Sequence, residues 1–167
     1  VLNISDRFRI TPLLGYTDYT IEAGKIWGIV PYPIMELHGG NETYIYDQLA
    51  FNMMKYYEFA SDQFLTVSVF HHFEGLFLNK VPLLRKLKWR EVATLKSVWG
   101  SVNEKNRKTL LFPTTLNSLD KGPYAEASLG VENIFKIFRI DAFWRLNYRF
   151  NRNIDNFGLK FGFQLML

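Results

Sequence analysis

The last twelve residues of the chain alternate strictly between apolar side chains and, mostly, polar or small ones. The apolar set is Phe157, Leu159, Phe161, Phe163, Leu165 and Leu167, and the residues between them include two glycines, a lysine and a glutamine. Because successive side chains of a β-strand point to opposite faces, this alternation predicts a strand with one wholly apolar face. A strand crosses a bilayer with about 9–11 residues, so we expect residues 156–167 to form a membrane-spanning strand.

Residues 138–150 alternate in the same way. One face would carry Phe138, Ile140, Ala142, Trp144, Leu146, Tyr148 and Phe150, and the other would carry Arg139, Asp141, Phe143, Arg145, Asn147 and Arg149. Three arginines and an aspartate on one face are typical of the wet interior of a membrane barrel, while the apolar face suits lipid. The alternative is a soluble sheet with one face in water, and we favour the membrane interpretation.

Five further segments alternate less regularly, and helical periodicity is nearly absent. Strands are predicted over residues 2–10, 16–28, 63–74, 87–100 and 124–133, with Glu91 interrupting the apolar face of the fourth. One helical turn is predicted over residues 81–87. The fold predicted for residues 1–167 is therefore all-β, a single segment of an antiparallel transmembrane outer-membrane β-barrel with about seven strands.

Loop lengths suggest how such strands would be arranged. Outer-membrane barrels have short periplasmic turns and longer outer loops. A C-terminus on the periplasmic side would make residues 29–62 one long outer loop and residues 101–123 a second. Seven strands would leave open edges in lipid, so either strands outside this sequence or further copies complete the barrel. We favour the first, because the sequence starts within a predicted strand and shows no signal peptide.

Composition narrows the classes of function. Aromatic residues make up 17% of the 167 residues, which suits the aromatic girdles of membrane barrels. The absence of cysteine excludes disulfides and thiolate metal sites. The net charge of +4 comes from scattered residues, so nucleic acid is not an expected partner. No run approaches the ~20 apolar residues of a membrane helix.

Motifs for catalysis are missing from the sequence. It contains no nucleophile elbow and no glycine-rich phosphate loop. His71 and His72 are adjacent in a predicted strand, so their side chains would point to opposite faces and could not readily share a metal ion. We therefore expect no catalytic residues, no metal and no other cofactor, and the protein is not expected to be an enzyme.

Several runs resemble a known family. They include His38-Gly39-Gly40-Asn41-Glu42-Thr43-Tyr44-Ile45-Tyr46-Asp47, His71-His72-Phe73-Glu74-Gly75 and Asn79-Lys80-Val81-Pro82-Leu83-Leu84-Arg85. These resemble the C-terminal region of an uncharacterised outer-membrane family of Bacteroidota, whose members usually carry an N-terminal carboxypeptidase-regulatory-like domain. The resemblance implies location in the Gram-negative outer membrane, with lipid as a partner, and it implies no peptidase activity.

A more distant resemblance concerns the order of elements. It is similar to the last strands of the barrel-assembly and translocation superfamily that includes BamA and TamA. There, an outer loop that starts with Gly-Gly folds into the lumen, and its Arg-Gly-aromatic tip pairs with an aspartate on a strand. Here Gly39-Gly40 is present, the tip lacks arginine, and Thr94 stands at the aspartate position.

These departures suggest a charge-swapped version of that contact. Lys96 shares the face of Thr94 and could pair with Glu42 or Asp47 on the infolded loop, since charge-assisted pairing would hold the loop in place. The alternative is a solvated lumen lysine. The residues predicted to take part in lumen and loop interactions are Asn41, Glu42, Asp47, Lys96, Arg139, Asp141 and Arg145.

The resulting expectation for function is an outer-membrane barrel of the assembly and translocation type. It would act in envelope protein biogenesis or as a subunit of an outer-membrane complex, with other outer-membrane or periplasmic proteins as partners. The alternatives are a scaffold, receptor or passive channel barrel, and a soluble lipocalin-like binding barrel.

Overall fold

A computed structural model describes residues 1–11, 14–109, 116–151 and 153–163. Its strands are β1 (Leu2–Thr11), β2 (Gly15–Lys25), β3 (Glu36–Leu37), β4 (Ala60–Ser61), β5 (Gln63–His72), β6 (Arg90–Ser101), β7 (Tyr124–Ile134), β8 (Phe138–Arg145) and β9 (Phe157–Phe163). Two short α-helices, α1 (Pro82–Leu87) and α2 (Glu104–Thr109), and two 3-10 turns, Tyr32–Ile34 and Leu78–Lys80, lie in the connections. No helix in the described ranges has the length and apolar character to cross a membrane.

Seven strands form one antiparallel sheet in the order β1-β2-β5-β6-β7-β8-β9, and β3 pairs with β4 separately. The connections between β1 and β2, between β5 and β6 and between β7 and β8 therefore share one end of the sheet, the turn end. The connections between β2 and β5, between β6 and β7 and between β8 and β9 share the other end, the loop end. Strands β1 and β9 are the sheet edges, and no pairing within the described ranges joins them, so the sheet is open.

The predicted all-β, antiparallel architecture with about seven strands is confirmed, and the predicted helical turn is α1. Strand β6 starts at Arg90, so Leu87 belongs to α1 and does not extend the apolar face of that strand. Along β9, Phe157, Leu159, Phe161 and Phe163 share the exposed face as predicted. The predicted positions Leu165 and Leu167 lie outside the described residues.

The predicted strand over residues 138–150 is too long. Strand β8 ends at Arg145, so Leu146, Tyr148 and Phe150 do not continue its apolar face. The reason is local: Tyr148 has φ of 53°, a left-handed conformation incompatible with a strand. Its hydroxyl donates a hydrogen bond to the carbonyl oxygen of Gly122, at 2.7 Å, and its ring packs on Phe59.

The two faces of the sheet differ in an unusual way. On β7, Leu129 is 62% exposed whereas its neighbour Ser128 is 2% exposed. The exposed face is lined with large apolar side chains, namely Leu95, Trp99, Leu129, Ile140, Trp144, Phe157, Leu159 and Phe161. The buried face carries Lys96, Glu126, Glu132, Arg139, Asp141, Arg145 and Lys160. This distribution inverts that of a water-soluble protein, in which charged side chains are rarely buried.

The long connection between β2 and β5 supplies much of the core. One cluster joins Phe51, Met54 and Phe59 of this connection to Val98, Leu119 and Tyr124. A second joins Met35 and Ala60 to Val102 and Leu116 of the next long connection. Residues 29–62 are thus packed against the buried face of the sheet and against the second loop.

Candidate functional site: a loop docked on the charged face

The candidate site is the contact between residues 38–58, the docked loop, and the buried face of β6 to β9, the charged face. Glu126 of β7, fully buried, lies at its centre. Its carboxylate accepts hydrogen bonds from the backbone N–H groups of Asn52 and Met53, at 2.7 and 2.9 Å, and from the Tyr124 hydroxyl at 2.9 Å. Hydrogen bonds to an ionised group are the stronger kind, so this carboxylate fixes the middle of the loop.

Lys96 contacts the docked loop, but not through the predicted ion pair. Its ammonium donates hydrogen bonds to the backbone carbonyl oxygens of Gln48 and Ala50, at 2.6 and 2.5 Å. Asp47 instead accepts hydrogen bonds from the N–H groups of Leu49 and Ala50, and Glu42 lies 3.9 Å from the half-exposed Lys55. No direct salt bridge joins Lys96 to Glu42 or Asp47 within the described residues, because the loop backbone turns its carbonyls toward Lys96. Asp47 acts on the Lys96 ammonium through a coulombic interaction.

Arg145 and Glu58 form the strongest side-chain link between sheet and loop. The guanidinium donates two hydrogen bonds to the carboxylate, at 2.9 and 2.5 Å, and both side chains are almost fully buried. A third hydrogen bond reaches the carbonyl oxygen of Met53 at 3.1 Å. Burial alone would raise the pKa of Glu58, but hydrogen bonds from Arg145 and Asn151 outweigh burial and hold this pKa below its ordinary value.

A second lysine anchors the start of the docked loop. Lys160 of β9 donates hydrogen bonds to the carbonyl oxygens of Asn41 and Thr43, at 3.1 and 2.5 Å. The backbone also joins β9, because Phe161 donates to Tyr44 and accepts from Tyr46, each at 2.8 Å. The segment around Ile45 therefore forms a parallel bridge on the free edge of β9.

Arg139 and Asp141, two of the predicted residues, pair with each other. The guanidinium donates two hydrogen bonds to the carboxylate, at 2.6 and 2.8 Å, on the same face of β8. The guanidinium carbon also lies 4.2 Å from the ring centre of Tyr46, and that ring stacks on Phe143. Burial raises the pKa of the Tyr46 hydroxyl to about 12, so this ring is neutral beneath the arginine.

Two buried asparagines hold the docked loop in shape. The Asn41 side chain accepts hydrogen bonds from Thr43 and donates to Ile45 and to the Asn52 side-chain oxygen. Asn52, 1% exposed, in turn donates to the carbonyl oxygen of Asp47 and accepts from the Asp47 N–H. The docked loop is thus held in shape by its own polar network as well as by its contacts with the sheet.

Only the second of the adjacent glycines Gly39 and Gly40 is sterically required. A methyl group at Gly40 would overlap the carbonyl oxygens of Lys55 and Met54, whereas one at Gly39 would meet nothing within 4 Å. We expect Gly40→Ala to lower the free energy of unfolding by about 1–3 kcal/mol, the usual cost of overpacking, and Gly39→Ala to change it little. Urea titrations of the two variants test this, and equal effects would contradict it.

The second long connection clamps the docked loop from the loop end. Asp62, which precedes β5, accepts hydrogen bonds from the Asn103 N–H at 2.6 Å and the Asn106 side chain at 2.8 Å. Asn106 of α2 also accepts from the Val30 N–H at 2.9 Å. The backbone of Asn117 pairs with Glu58 and Ala60. The two long connections therefore form one structural unit.

His38 makes the docked loop sensitive to acid. It is 5% exposed, its Nε2 lies 2.9 Å from the Ser61 hydroxyl, and burial lowers its pKa to about 4. Below about pH 6.5 the unfolded chain binds a proton that the folded loop excludes until about pH 4. Stability is therefore complete above pH 6.5 and falls by about 3 kcal/mol as the pH approaches 4.

The variant His38→Gln tests this pH dependence, because glutamine keeps a hydrogen-bonding group and cannot titrate. We expect the urea midpoint of the native protein to fall more between pH 7 and pH 4.5 than that of His38→Gln. Identical pH profiles for the two proteins would show that His38 is not responsible.

The two adjacent histidines of β5 point to opposite faces, as expected for neighbours in a strand. His71 Nδ1 lies 2.7 Å from the Thr17 hydroxyl, and His72 Nδ1 lies 3.1 Å from the buried carboxylate of Glu132. Within the described ranges, no cluster of three or more histidine, aspartate or glutamate side chains could hold a metal ion. The polar groups of the site hold backbone, and their geometry serves docking.

Sequence reasoning placed Lys96, Arg139, Asp141 and Arg145 on the face where the structure has them, but it missed three contributors. Glu126 and Lys160 were visible as charged residues on the polar side of alternating strands. Glu58 lies in a loop without periodicity, so no pattern in the sequence places it on the charged face. The one signal in the sequence is the apolar pair Phe59 and Ala60 that follows it, which the structure buries fully.

Comparison with known proteins identifies the chain only at the level of a family. The model described as "Family of unknown function (DUF5686) C-terminal domain" matches residues 1–106. This confirms the resemblance to the C-terminal region of an uncharacterised family. No curated protein and no solved structure matches the chain.

Proposed function

The chain belongs to this family of unknown function, as its C-terminal domain, and we propose that it forms the C-terminal part of an outer-membrane β-barrel whose lumen is filled by the docked loop. The barrel would act in envelope protein assembly or as a subunit of an outer-membrane complex. Its partners would be outer-membrane lipid and other envelope proteins.

The proposal rests on the distribution of side chains between the two sheet faces, with apolar residues exposed and charged residues buried. An apolar exposed face and a polar interior are the arrangement of membrane barrels, in which lipid covers the outside. Leu95, Leu129 and Phe161 are each about half exposed or more, while Lys96, Glu126 and Arg145 are buried. In water, the exposed face would present a continuous apolar surface far larger than monomeric proteins usually show.

The docked loop favours assembly or scaffold roles over a passive channel. Charged anchors on β6, β7, β8 and β9 all hold residues 38–58 against the charged face. In an open, water-filled pore, water would hydrate these charged side chains, and they would not form buried hydrogen bonds with a loop. We infer that the docked loop closes the lumen beside β6 to β9 in the resting protein.

Closure of the barrel requires strands beyond the seven. The edge of β1 is free in the described sheet, and unpaired backbone groups are costly in lipid. At the other edge, Phe161 already exchanges hydrogen bonds with Tyr44 and Tyr46. A completing strand must therefore pair with β9 beside this bridge or displace the segment.

Fractionation and heat-modifiability of the full-length parent protein test the proposal. We expect recovery in the outer-membrane fraction and a folded form that migrates faster than the heated form in detergent. Recovery in the soluble fraction without detergent would contradict the proposal and favour the soluble binding barrel. A high steady conductance in planar bilayers would favour the passive channel.

Exposed aromatic residues on the docked loop favour a receptor or scaffold as the second candidate. Tyr44, Tyr56 and Tyr57 are each more than half exposed on the docked loop. Amphipathic aromatic side chains are enriched at protein interfaces. Replacing all three by serine should abolish co-purification of an envelope partner if this surface recruits one, and should leave the folded barrel intact.

A further inference from the structure

We propose that the connection between β5 and β6 is a binding surface for anionic phospholipid at the bilayer interface. The basic turn, residues 75–89, contains the 3-10 turn Leu78–Lys80 and helix α1. The inference rests on the proposed function, because the surface lies at the turn end of a sheet whose exposed face would be in lipid.

A hydrogen-bonded anchor places the basic turn on the exposed side of the sheet. Glu91, whose position in β6 belongs to the apolar exposed face, accepts hydrogen bonds from the N–H groups of Phe77 and Leu78, at 2.9 and 2.5 Å. Phe77 also lies 6.4 Å from Phe73, measured between ring centres. The residue that interrupts the apolar pattern of β6 thus ties the turn to the face that would meet the membrane.

The basic turn concentrates positive charge. It contains Lys80, Arg85, Lys86 and Lys88 and no acidic residue. Within the described ranges, none of these four side chains forms a salt bridge. Lys80, Arg85 and Lys86 line a shallow cavity of about 450 Å³ together with Asn79 and Pro82. Lysine and arginine side chains around a shallow cavity suit a phosphate group.

The same surface exposes apolar side chains. Phe77, Leu83 and Leu87 are 60%, 72% and 45% exposed, and α1 buries no residue. The helix packs mainly on the adjacent 3-10 turn and not on the core. Phe135, 78% exposed in the neighbouring turn, extends the apolar surface at this end of the sheet. Cationic and apolar side chains on one unpartnered surface are the features of segments that lie in the membrane interface.

Lipid fits this surface better than an acidic protein or nucleic acid does. An acidic ligand alone would leave Phe77 and Leu83 in water, whereas a bilayer provides both a phosphate layer and acyl chains. The position agrees as well, because the basic turn shares its end of the sheet with the short connection between β7 and β8. Short turns of outer-membrane barrels lie at the periplasmic leaflet, which would bring phospholipid head groups to the basic turn.

The test uses the full-length protein in vesicles of phosphatidylcholine, with and without about one third phosphatidylglycerol. A single cysteine, Leu83→Cys, carries an environment-sensitive fluorophore, and Tyr57→Cys at the loop end is the matched site. We expect emission at position 83 to shift to the blue and to be quenched by lipid-borne quenchers in a phosphatidylglycerol-dependent way. Position 57 should not respond.

Charge variants then separate electrostatics from insertion. The triple variant Lys80→Gln, Arg85→Gln, Lys86→Gln should raise the phosphatidylglycerol fraction needed for half of the response by about tenfold or abolish the response. The matched triple variant Lys105→Gln, Lys108→Gln, Lys121→Gln, at the loop end, should not. Equal effects of the two triple variants would overturn the inference.

Heat-modifiability, measured on the same vesicles, keeps this inference separate from the proposed function. A folded, inserted barrel whose position 83 ignores phosphatidylglycerol would overturn the inference and leave the barrel intact. Protection of position 83 in native membranes but in no vesicle would assign the surface to a protein and also overturn it. A protein that inserts in no vesicle would overturn both.

Discussion

Replacing Arg145 by methionine is expected to lower the free energy of unfolding by about 3–5 kcal/mol, the cost of breaking a buried ion pair from one side. Arg145 and Glu58 exchange two hydrogen bonds, at 2.9 and 2.5 Å, and neither side chain is more than 5% exposed. Methionine fills a similar volume, so lost packing is small. The carboxylate of Glu58 would remain buried with only Asn151 and the Lys55 N–H as donors.

A double-mutant cycle measures this pair directly. The double variant Glu58→Gln, Arg145→Met should lower the free energy of unfolding by much less than the sum of the two single variants. The reason is that Glu58→Gln removes the buried charge that Arg145→Met alone leaves unpaired. Lys108→Met, which breaks the exposed pair with Glu104, is the control and should cost less than about 0.5 kcal/mol. Urea titration of the folded protein in detergent gives all four values, and additive single effects would contradict the role assigned to the pair.

Replacing Glu126 by alanine is expected to release the docked loop. The change removes the acceptor of three hydrogen bonds, leaves the N–H groups of Asn52 and Met53 buried without partners, and takes a negative charge from beside Lys96. Each hydrogen bond to a charged group contributes about 1.5–3 kcal/mol. Their loss should weaken the docking of residues 38–58 by several kcal/mol, so the loop should leave the sheet more often while the strands remain paired.

Trypsin cleavage after Lys55 and bilayer conductance report this release. Both should rise in Glu126→Ala and rise less in Glu126→Gln, whose single amide oxygen can keep the hydrogen bonds of one carboxylate oxygen while its NH2 group faces the other N–H donor. Glu104→Ala, which removes an exposed carboxylate of α2 that pairs with Lys108, is the matched control. Cleavage and conductance that do not change in Glu126→Ala would show that the loop is held by its apolar contacts alone.

The sheet could be predicted from the sequence because alternation reports which side of a strand is buried. Strand β7 shows this well: its small and polar positions, Glu126 and Ser128 among them, are buried, and its apolar positions are exposed. The pattern could not show where β8 stops. In the sequence, the alternation of apolar and polar residues continues through Leu146, Tyr148 and Phe150. In the structure, however, Tyr148 adopts a left-handed conformation and contacts Gly122, which is 26 residues earlier in the chain.

The docking contacts were predictable as positions but not as partners. Lys96 was expected on the polar face, and it lies there, but it binds the carbonyl oxygens of Gln48 and Ala50. Backbone groups are the same at every residue, so no pattern of side chains indicates which of them will face a lysine. The sequence shows only the carboxylates, and among these Glu42 and Asp47 are the predicted partners.

Lipid contact along β7 is the direct test of the proposed membrane barrel. Single cysteines at residues 127, 128, 129 and 131, introduced into the full-length protein, are labelled in native outer membranes and exposed to lipid-borne quenchers. We expect quenching at 127, 129 and 131 and none at 128, which lies on the buried face of the sheet. Uniform reaction of residues 127, 129 and 131 with a water-soluble maleimide, without quenching by lipid, would contradict a membrane barrel and assign the apolar face to another protein or to a soluble assembly.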